Sequence, residues 1–374
     1  METEKNLQLV RDLFNGHANG MEYFYQRLKV YSEINNKEYE NLKVIGSTCI
    51  HVPEELIYAT GFIPLRLCNG SYSFDQAGTE FLPAKSCPVV RSILGSIKTG
   101  YFPLGAKPEL IVIPTSCDQK KKIIEVNNVK NEIFYNLEIP PTKEGDEAKL
   151  YWYGSVKKFR NKLQEVTGNR ITKQNLKDAI LLVADAQKEA RRFFHLRKGN
   201  PVIWGTEAIL IINTYFFDEI HNWTRKLSIL NSELGKKIVD KKFIVSNIAP
   251  RIILTGSPSM FPGIKLPLLI EQLGGIIVMD EFCSSSRFLY DTVAVDEWNM
   301  YDMLPAIADR YFKPSTCPHF TPNIDRIRNL LKFVKEYNAD GIVYQSYAGC
   351  HLYDIESRIV GREMMRKIIV ADNP

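Results

Sequence analysis

The sequence predicts an α/β chain made of two Rossmann- or flavodoxin-like parallel-sheet domains joined by helices. Short runs such as Leu110–Ile113 and Ile276–Met279 are apolar throughout, as strands buried on both faces of a parallel sheet must be. Stretches of helical periodicity separate these runs, and the alternation occurs twice, on either side of a long helical middle. The 374 residues are too many for one ordinary core and suit two units of roughly 150 residues.

In chain order, residues 1–40 read as a helical segment, with Leu9, Leu13 and Phe24 among charged positions. The first α/β domain, 41–150, opens with the strand Val44-Ile45. Pro53–Thr60 reads as a helix whose Pro-Glu-Glu start places acids at the positive end of the helix dipole. Gly61 stops it, Ile63–Leu67 is the next strand, Val89–Ile97 is a helix ended by Gly100, and Leu110–Ile113 is a strand. Tyr151–Glu165, Lys173–Arg197 and Ala208–Leu230 are helical in character and make 151–242 a mainly helical connecting region. The second α/β domain, 243–374, repeats the alternation. Its strands are Arg251–Leu254, Ile276–Met279, Gly341–Tyr344 and Lys367–Val370. Its helices are Leu266–Leu273, closed by Gly274-Gly275, the amphipathic Ile324–Tyr337, and Tyr353–Arg366. Strands and helices alternating at these lengths imply right-handed crossovers and parallel sheets.

Composition narrows the class. Hydrophobic residues are 45% and charged residues 24%, an ordinary soluble mixture. The longest apolar segment, Ala208–Phe217, is far short of the roughly 20 residues that span a bilayer, so no membrane is expected. The N-terminus, Met1-Glu-Thr-Glu-Lys, has no apolar signal region, and the expected location is the cytoplasm. The one tight basic run, Lys120-Lys121-Lys122, is too short to bind nucleic acid. Seven cysteines is an odd number for a disulfide framework, and no CxxC pair occurs.

The cysteines carry the chemistry. Cys49, Cys117, Cys283 and Cys350 each lie a few residues past the carboxyl end of a buried strand. In open α/β sheets that edge binds ligands, and helix N-termini there favour thiolates. Cys87 and Cys317 each stand in a Cys-Pro pair between the two strand-end cysteines of their own half. The order strand-Cys, Cys-Pro, strand-Cys thus occurs twice, with gaps of 38 and 30 residues, then 34 and 33. Soft thiolates converging from several strand ends suit an iron–sulfur cluster, and six suffice for two cubanes with three each. A buried thiol is also ordinary core, and Cys68 likewise follows a strand, so position alone leaves both readings open. The doubled order favours the cluster.

Longer motifs surround these cysteines. They are Gly46-Ser-Thr-Cys49-Ile-His-Val-Pro-Glu-Glu-Leu-Ile-Tyr-Ala-Thr-Gly61, Pro114-Thr-Ser-Cys117-Asp118, Gly256-Ser-Pro, and Gly341-Ile-Val-Tyr-Gln-Ser-Tyr-Ala-Gly-Cys350 leading into Glu356. Together they resemble the signatures of the 2-hydroxyacyl-CoA dehydratase / benzoyl-CoA reductase superfamily, from about residue 42 to about residue 370. In that superfamily a dehydratase subunit holds one [4Fe–4S] cluster on three cysteines, matched here by Cys87, Cys117 and Cys350. Three further cysteines stand in Gly46-Ser-Thr-Cys49, Asp280-Glu-Phe-Cys283-Ser-Ser-Ser-Arg287 and Thr316-Cys-Pro-His-Phe-Thr-Pro-Asn323. These resemble the branch of double-cubane cluster proteins, in which six cysteines hold an [8Fe–9S] cluster and the chain forms a homodimer. Cys68 is left over and reads as structural. The resemblance also implies a partner, a separate dimeric iron–sulfur ATPase that delivers electrons at very low potential. This chain has neither a P-loop nor a GxGxxG fingerprint, so ATP and nicotinamide are not expected on it. Relatives usually continue into a further helix beyond the position of Pro374, so the end of the second domain is either short by nature or cut.

The expected function is ATP-coupled, low-potential reduction of a small molecule at an oxygen-sensitive double-cubane cluster held by Cys49, Cys87, Cys117, Cys283, Cys317 and Cys350. The alternatives are a 2-hydroxyacyl-CoA dehydratase subunit with one [4Fe–4S] cluster, a non-catalytic iron–sulfur electron-transfer protein, and a cluster-free protein whose thiols are core. His51, His351 and His319 lie one or two residues after cluster cysteines. They read either as proton donors or sulfur partners, or as ordinary polar residues at helix starts. Glu55 and Glu356 recur beside the cysteines in the family signature and read as an acid or base, although Glu55 also suits a helix start. Asp118 reads as a helix cap, and Lys120–Lys122 read either as solvated helix face or as cations that balance the cluster's negative charge or dock the electron donor. Arg287 either binds an anionic substrate or neutralises the cluster.

Overall fold

Two parallel sheets of four strands carry the architecture, as the apolar runs require. The first contains β1 (Val44–Ser47), β2 (Ile63–Arg66), β3 (Leu110–Pro114) and β4 (Phe134–Leu137), in the order β2-β1-β3-β4. The second contains β5 (Arg251–Gly256), β6 (Ile276–Glu281), β7 (Gly341–Tyr347) and β8 (Ile368–Asn373), in the order β6-β5-β7-β8. The two orders are the same topology, repeated. The computed structural model describes residues 2–13, 17–31, 41–126, 133–245, 248–364 and 368–373. In each sheet the strand order reverses at the central pair, β1/β3 and β5/β7, which opens a crevice at the carboxyl ends.

Helices cover the sheets and join them. Ahead of the first sheet stand α1 (Glu2–Leu13) and α2 (Met21–Tyr31). Within the first half come α3 (Glu54–Tyr58), α4 (Tyr72–Gly78), α5 (Pro88–Thr99) and α6 (Asp118–Val126). The connecting region holds α7 (Gly145–Thr167), α8 (Lys173–Leu196), α9 (Gly205–Thr214) and α10 (Ile220–Val239). The second half adds α11 (Lys265–Gln272), α12 (Ser286–Leu289), α13 (Met300–Phe312), α14 (Ile324–Glu336) and α15 (His351–Met364). α8 packs on α3 of the first half and on α12 and α13 of the second, so the connecting helices belong to one continuous core.

Local chemistry explains the boundaries. α5 begins with Pro88 at its first turn and ends at Gly100, whose φ of +71° is the left-handed cap. The apolar stretch Ala208–Leu230 does not continue as one helix. It divides after Thr214, and the Glu219 carboxylate accepts from the N–H groups of His221 and Asn222 to start α10. α9 is buried on every side, which is why its sequence lacks a polar face. β4 escapes the sequence pattern because it is a short edge strand in which only Leu137 is fully buried. Residues 14–16 and 32–40 of the N-terminal helical segment, and 365–367 at the α15/β8 junction, lie outside the described residues.

The two carboxyl edges meet backbone to backbone. Gly70 donates its N–H to Phe261 O at 3.2 Å. A Cβ at Gly70 would lie 2.1 Å from Met260 O and 2.7 Å from Gly263 N. Gly349 has φ +84°, and a Cβ there would lie 2.2 Å from Lys85 O. Glycine is required at both places by space, and at Gly349 by conformation as well. Gly70→Ala is therefore expected to destabilise the fold by about 1–3 kcal/mol through overpacking. A urea titration of both proteins measures it, and an unchanged midpoint would show that the seam accommodates a methyl group.

Candidate functional site

All seven cysteines are free thiols, and all but Cys317 follow a strand or open a helix at the facing carboxyl edges. Cys49 follows β1, Cys68 follows β2, Cys87 caps α5, and Cys117 immediately precedes α6. Cys283 follows β6, Cys317 lies between α13 and α14, and Cys350 immediately precedes α15. Cys87 and Cys350 are in hydrogen-bond contact. Cys317 is within electrostatic reach of Cys49 and Cys283. Lys120 is within reach of Cys49, Cys68, Cys117, Cys283 and Cys350. The fold thus gathers the six sequence-predicted ligands, together with Cys68, around one locus.

The repeated topology revises the internal repeat. β1 corresponds to β5, and β2 to β6. Cys283, two residues after β6, is therefore the counterpart of Cys68, two residues after β2, whereas Cys49 after β1 corresponds to Pro258 after β5. The two triplets read from sequence are similar in spacing and not equivalent in position.

The first turn of α6 organises the site. The Gln119 carbonyl oxygen accepts from Cys87 N at 2.7 Å, and its amide nitrogen donates to Gly349 O at 2.9 Å. One side chain next to Cys117 thus fastens the segments carrying Cys87 and Cys350. Lys120 Nζ donates to Thr48 O at 2.9 Å. Among the described residues no carboxylate pairs with it, whereas Lys121 pairs with Asp118 and Lys122 with Glu125, both largely exposed. The triple-lysine run is therefore not uniformly a solvated face, and Asp118 is exposed and paired with Lys121.

Proton affinities follow from these contacts. Burial opposes ionisation of Cys49, yet Lys120 and His51 hold its thiol well below the ordinary value. The contact with Cys87 brings Cys350 down to about 7 and, with burial, raises Cys87, so one thiol donates to the other's thiolate. Burial, then Cys49, pushes Cys317 up to about 12. Burial also raises Cys68, whose Sγ donates to Thr48 O at 3.0 Å.

The other candidates separate. His51 is buried, with Nδ1 3.5 Å from Cys49 Sγ and Nε2 3.0 Å from Ser315 Oγ. His319 lies 3.2 Å from Pro140 O, and His351 is exposed at the start of α15. Glu55 is fully buried and accepts from Tyr311 OH at 2.8 Å, while Glu54 accepts from Tyr215 OH at 2.9 Å. Burial raises Glu55 and pushes Glu54 up to about 7 against the pull of Arg66. The groups around both carboxyls are arginines and tyrosines, not cysteines. In the second half Arg287 is held by Glu281 at 2.8 Å and donates to Tyr353 OH at 2.9 Å, within reach of Cys283 and Cys317. Arg326 joins Glu281 at 3.3 Å to Glu356 at 3.0 Å. Glu356 thus belongs to a buried ionic lattice behind the thiols.

Among the described residues no three His, Cys, Asp or Glu side chains close on a single ion. A half-buried ammonium with no carboxylate partner among the described residues is stabilised by anionic sulfur beside it. Ser285, two residues after Cys283, and Ser346, at the end of β7, have buried hydroxyls without partners, as polar groups reserved for a ligand would. The residues present therefore fit an iron–sulfur cluster. No helix among the described residues is long and apolar enough to cross a membrane.

The family model of the 2-hydroxyglutaryl-CoA dehydratase D-component matches residues 49–370. The Escherichia coli (strain K12) protein YjiM, whose name assigns it provisionally to a dehydratase subunit, is 26% identical over 87% of this chain and 84% of its own length. The (R)-phenyllactyl-CoA dehydratase beta subunit of Clostridium sporogenes is 23% identical over 81% and 78%. The beta subunit of (R)-2-hydroxyglutaryl-CoA dehydratase from Acidaminococcus fermentans is 24% identical over 84% and 82%.

Two outcomes are expected. Gln119→Ala strands Cys87 N and Gly349 O and lowers stability by about 1–3 kcal/mol in chemical denaturation; no change would mean other partners take over. Glu54 binds its proton more tightly folded than unfolded, so its contribution to stability is full below its ordinary value of 4.5 and is lost as pH rises to about 7. Glu54→Gln should flatten that part of the stability–pH curve, by up to about 3 kcal/mol across the window. Urea midpoints measured from pH 4.5 to 7.5 read it directly, and parallel curves would assign the slope to other groups.

Proposed function

The chain belongs to the 2-hydroxyglutaryl-CoA dehydratase D-component family, and from that membership we propose that it is the iron–sulfur component of an ATP-coupled, low-potential reductase acting on a small molecule. In this reading Cys49, Cys87, Cys117, Cys283, Cys317 and Cys350 hold a double-cubane [8Fe–9S] cluster. A separate dimeric iron–sulfur ATPase supplies the electrons, and the chain works as a homodimer. One observation carries the reading: four of the six thiols, Cys49, Cys117, Cys283 and Cys350, stand around a single ammonium, Lys120, that has no carboxylate partner among the described residues, and Cys87 and Cys317 neighbour members of that group. A protein using these thiols only as packing has no reason to hold an uncompensated cation among them.

Two groups of thiols emerge. Gln119 ties Cys87 and Cys350 to the helix that follows Cys117, whereas Cys317 has Cys49 and Cys283 as neighbours. Each group supplies the three thiolates of one cubane. Bound there, the cluster stores and donates electrons at low potential. The chain's own residues supply the rest. His51 lies against Cys49 with its far nitrogen on Ser315, a path for holding or moving a proton at Nε2. Arg287, kept in place by Glu281 and Tyr353, sets a cation beside Cys283 and Cys317. Arg287 and Thr316 also line a cleft of about 270 Å³, suited to a small substrate rather than a long one. Glu55 acts in this reading as a structural anchor, through Tyr311, for the helix after Cys49. His351 remains a candidate for handling protons at the exposed rim.

The second reading is a 2-hydroxyacyl-CoA dehydratase subunit with one [4Fe–4S] cluster on Cys87, Cys117 and Cys350, favoured by Gln119, which fastens those segments and touches none of the other cysteines. Iron and acid-labile sulfide per chain, on protein purified without oxygen, distinguish the two. The double cubane gives about eight irons, halved by Cys283→Ser, and the single cluster about four irons unaffected by it. Colourless, iron-free protein from anaerobic cells would remove both.

A further inference from the structure

We propose that Lys120 is the fixed counter-cation of the whole thiol site, anchored beside the Cys68 thiol on the Thr48 carbonyl, and that its charge raises the reduction potential of the cluster bound there. This rests on the reading of the site as a cluster holder.

Two donors meet on one acceptor. Lys120 Nζ lies 2.9 Å, and Cys68 Sγ 3.0 Å, from Thr48 O. Thr48 directly precedes Cys49, and it is itself fastened to β3: its N–H donates to Val112 O at 3.2 Å and its hydroxyl to the same oxygen at 3.3 Å. The ammonium is therefore moored to the frame that carries Cys49. Its sulfur neighbours come from both thiol groups, Cys117 and Cys350 from one, Cys49 and Cys283 from the other.

The other cations near the site are already matched. Arg287 has Glu281 at 2.8 Å, and Arg326 has Glu281 and Glu356. Lys120 brings positive charge into reach of the thiols that no carboxylate among the described residues offsets. A fixed charge in a weakly screened site stabilises every electron added nearby, so the cluster is easier to reduce with the ammonium present than without it. Cys68 gains a role that its position obscures. It occupies the place that Cys283 holds in the other half, and shares the carbonyl that holds the cation rather than acting as a ligand.

The test compares wild type, Lys120→Met, Lys120→Arg, Cys68→Ala and the control Lys121→Met, all purified without oxygen. Iron and sulfide are counted, and the cluster is titrated with titanium(III) citrate under electron paramagnetic resonance. Lys120→Met is expected to keep its iron and to titrate at a more negative midpoint than wild type, with Lys121→Met unshifted. An unshifted midpoint in an iron-replete Lys120→Met protein overturns the proposal. If Lys120→Met loses its iron, Lys120→Arg decides: retention with a wild-type midpoint supports a role for charge, and loss overturns it. Cys68→Ala is expected to retain the full iron count, and loss of iron would make Cys68 a ligand and overturn its place beside the cation. Absence of iron from the wild type itself is a separate outcome, which removes the functional reading beneath.

Discussion

The site depends on backbone meeting backbone where two sheets present their carboxyl edges to each other. Side chains at Gly70 or Gly349 would drive a Cβ to within 2.1–2.2 Å of a facing carbonyl oxygen. Close approach at these points brings thiols that are up to 301 residues apart, from Cys49 to Cys350, into one neighbourhood. It also dictates the connecting region: α8 reaches elements of both halves, so the spacing of the edges is fixed from behind by a shared core rather than by a linker. Two identical topologies facing each other are the scaffold, and their loops supply the chemistry.

Burying that seam forces an electrostatic settlement. Charged groups removed from water survive only when matched. Behind the second sheet, Arg287 and Arg326 are matched by Glu281 and Glu356. Behind the first, Glu54 and Glu55 face Arg66, Arg310 and two tyrosines, and burial raises both carboxyls toward the neutral form. Lys120 departs from the rule, with sulfur where a carboxylate would stand. The departure separates an inert cluster of buried thiols from an anionic site, because the cation and the thiolates lower each other's cost of burial.

Family membership and geometry constrain the chemistry from different sides. The dehydratase and reductase family places the chain among enzyme components. Three of the thiols stand around the Gln119 clamp, whereas the other three stand at the same seam with a cation common to both groups. Arg287 and Thr316 line a modest cleft in the half that carries Cys283 and Cys317.

Much of this was legible in the sequence. Apolar runs such as Leu110–Ile113 mark doubly covered strands because burial on both faces leaves no alternation, and the cysteines past their ends lie at the carboxyl edge of the sheet. Signals that depend on partners far along the chain were not legible. Phe134–Leu137 is a strand because β3 lies beside it, not because of its own pattern. Ala208–Leu230 divides because Glu219 finds backbone N–H groups to cap, a geometry that periodicity does not register. Lys120, Lys121 and Lys122 are identical in sequence, yet one points among thiols and two pair outside, because a helix turns each successive residue by about 100° and only the packing decides which direction is inward. Likewise Cys68 and Cys283 hold equivalent places in the two halves, and only the folded contacts give one a carbonyl to bond and the other an arginine nearby. The sequence by itself determined the residue types and their places at strand ends, since these follow from local burial. The tertiary structure alone decided which charges go unmatched, since compensation is a property of neighbours in space.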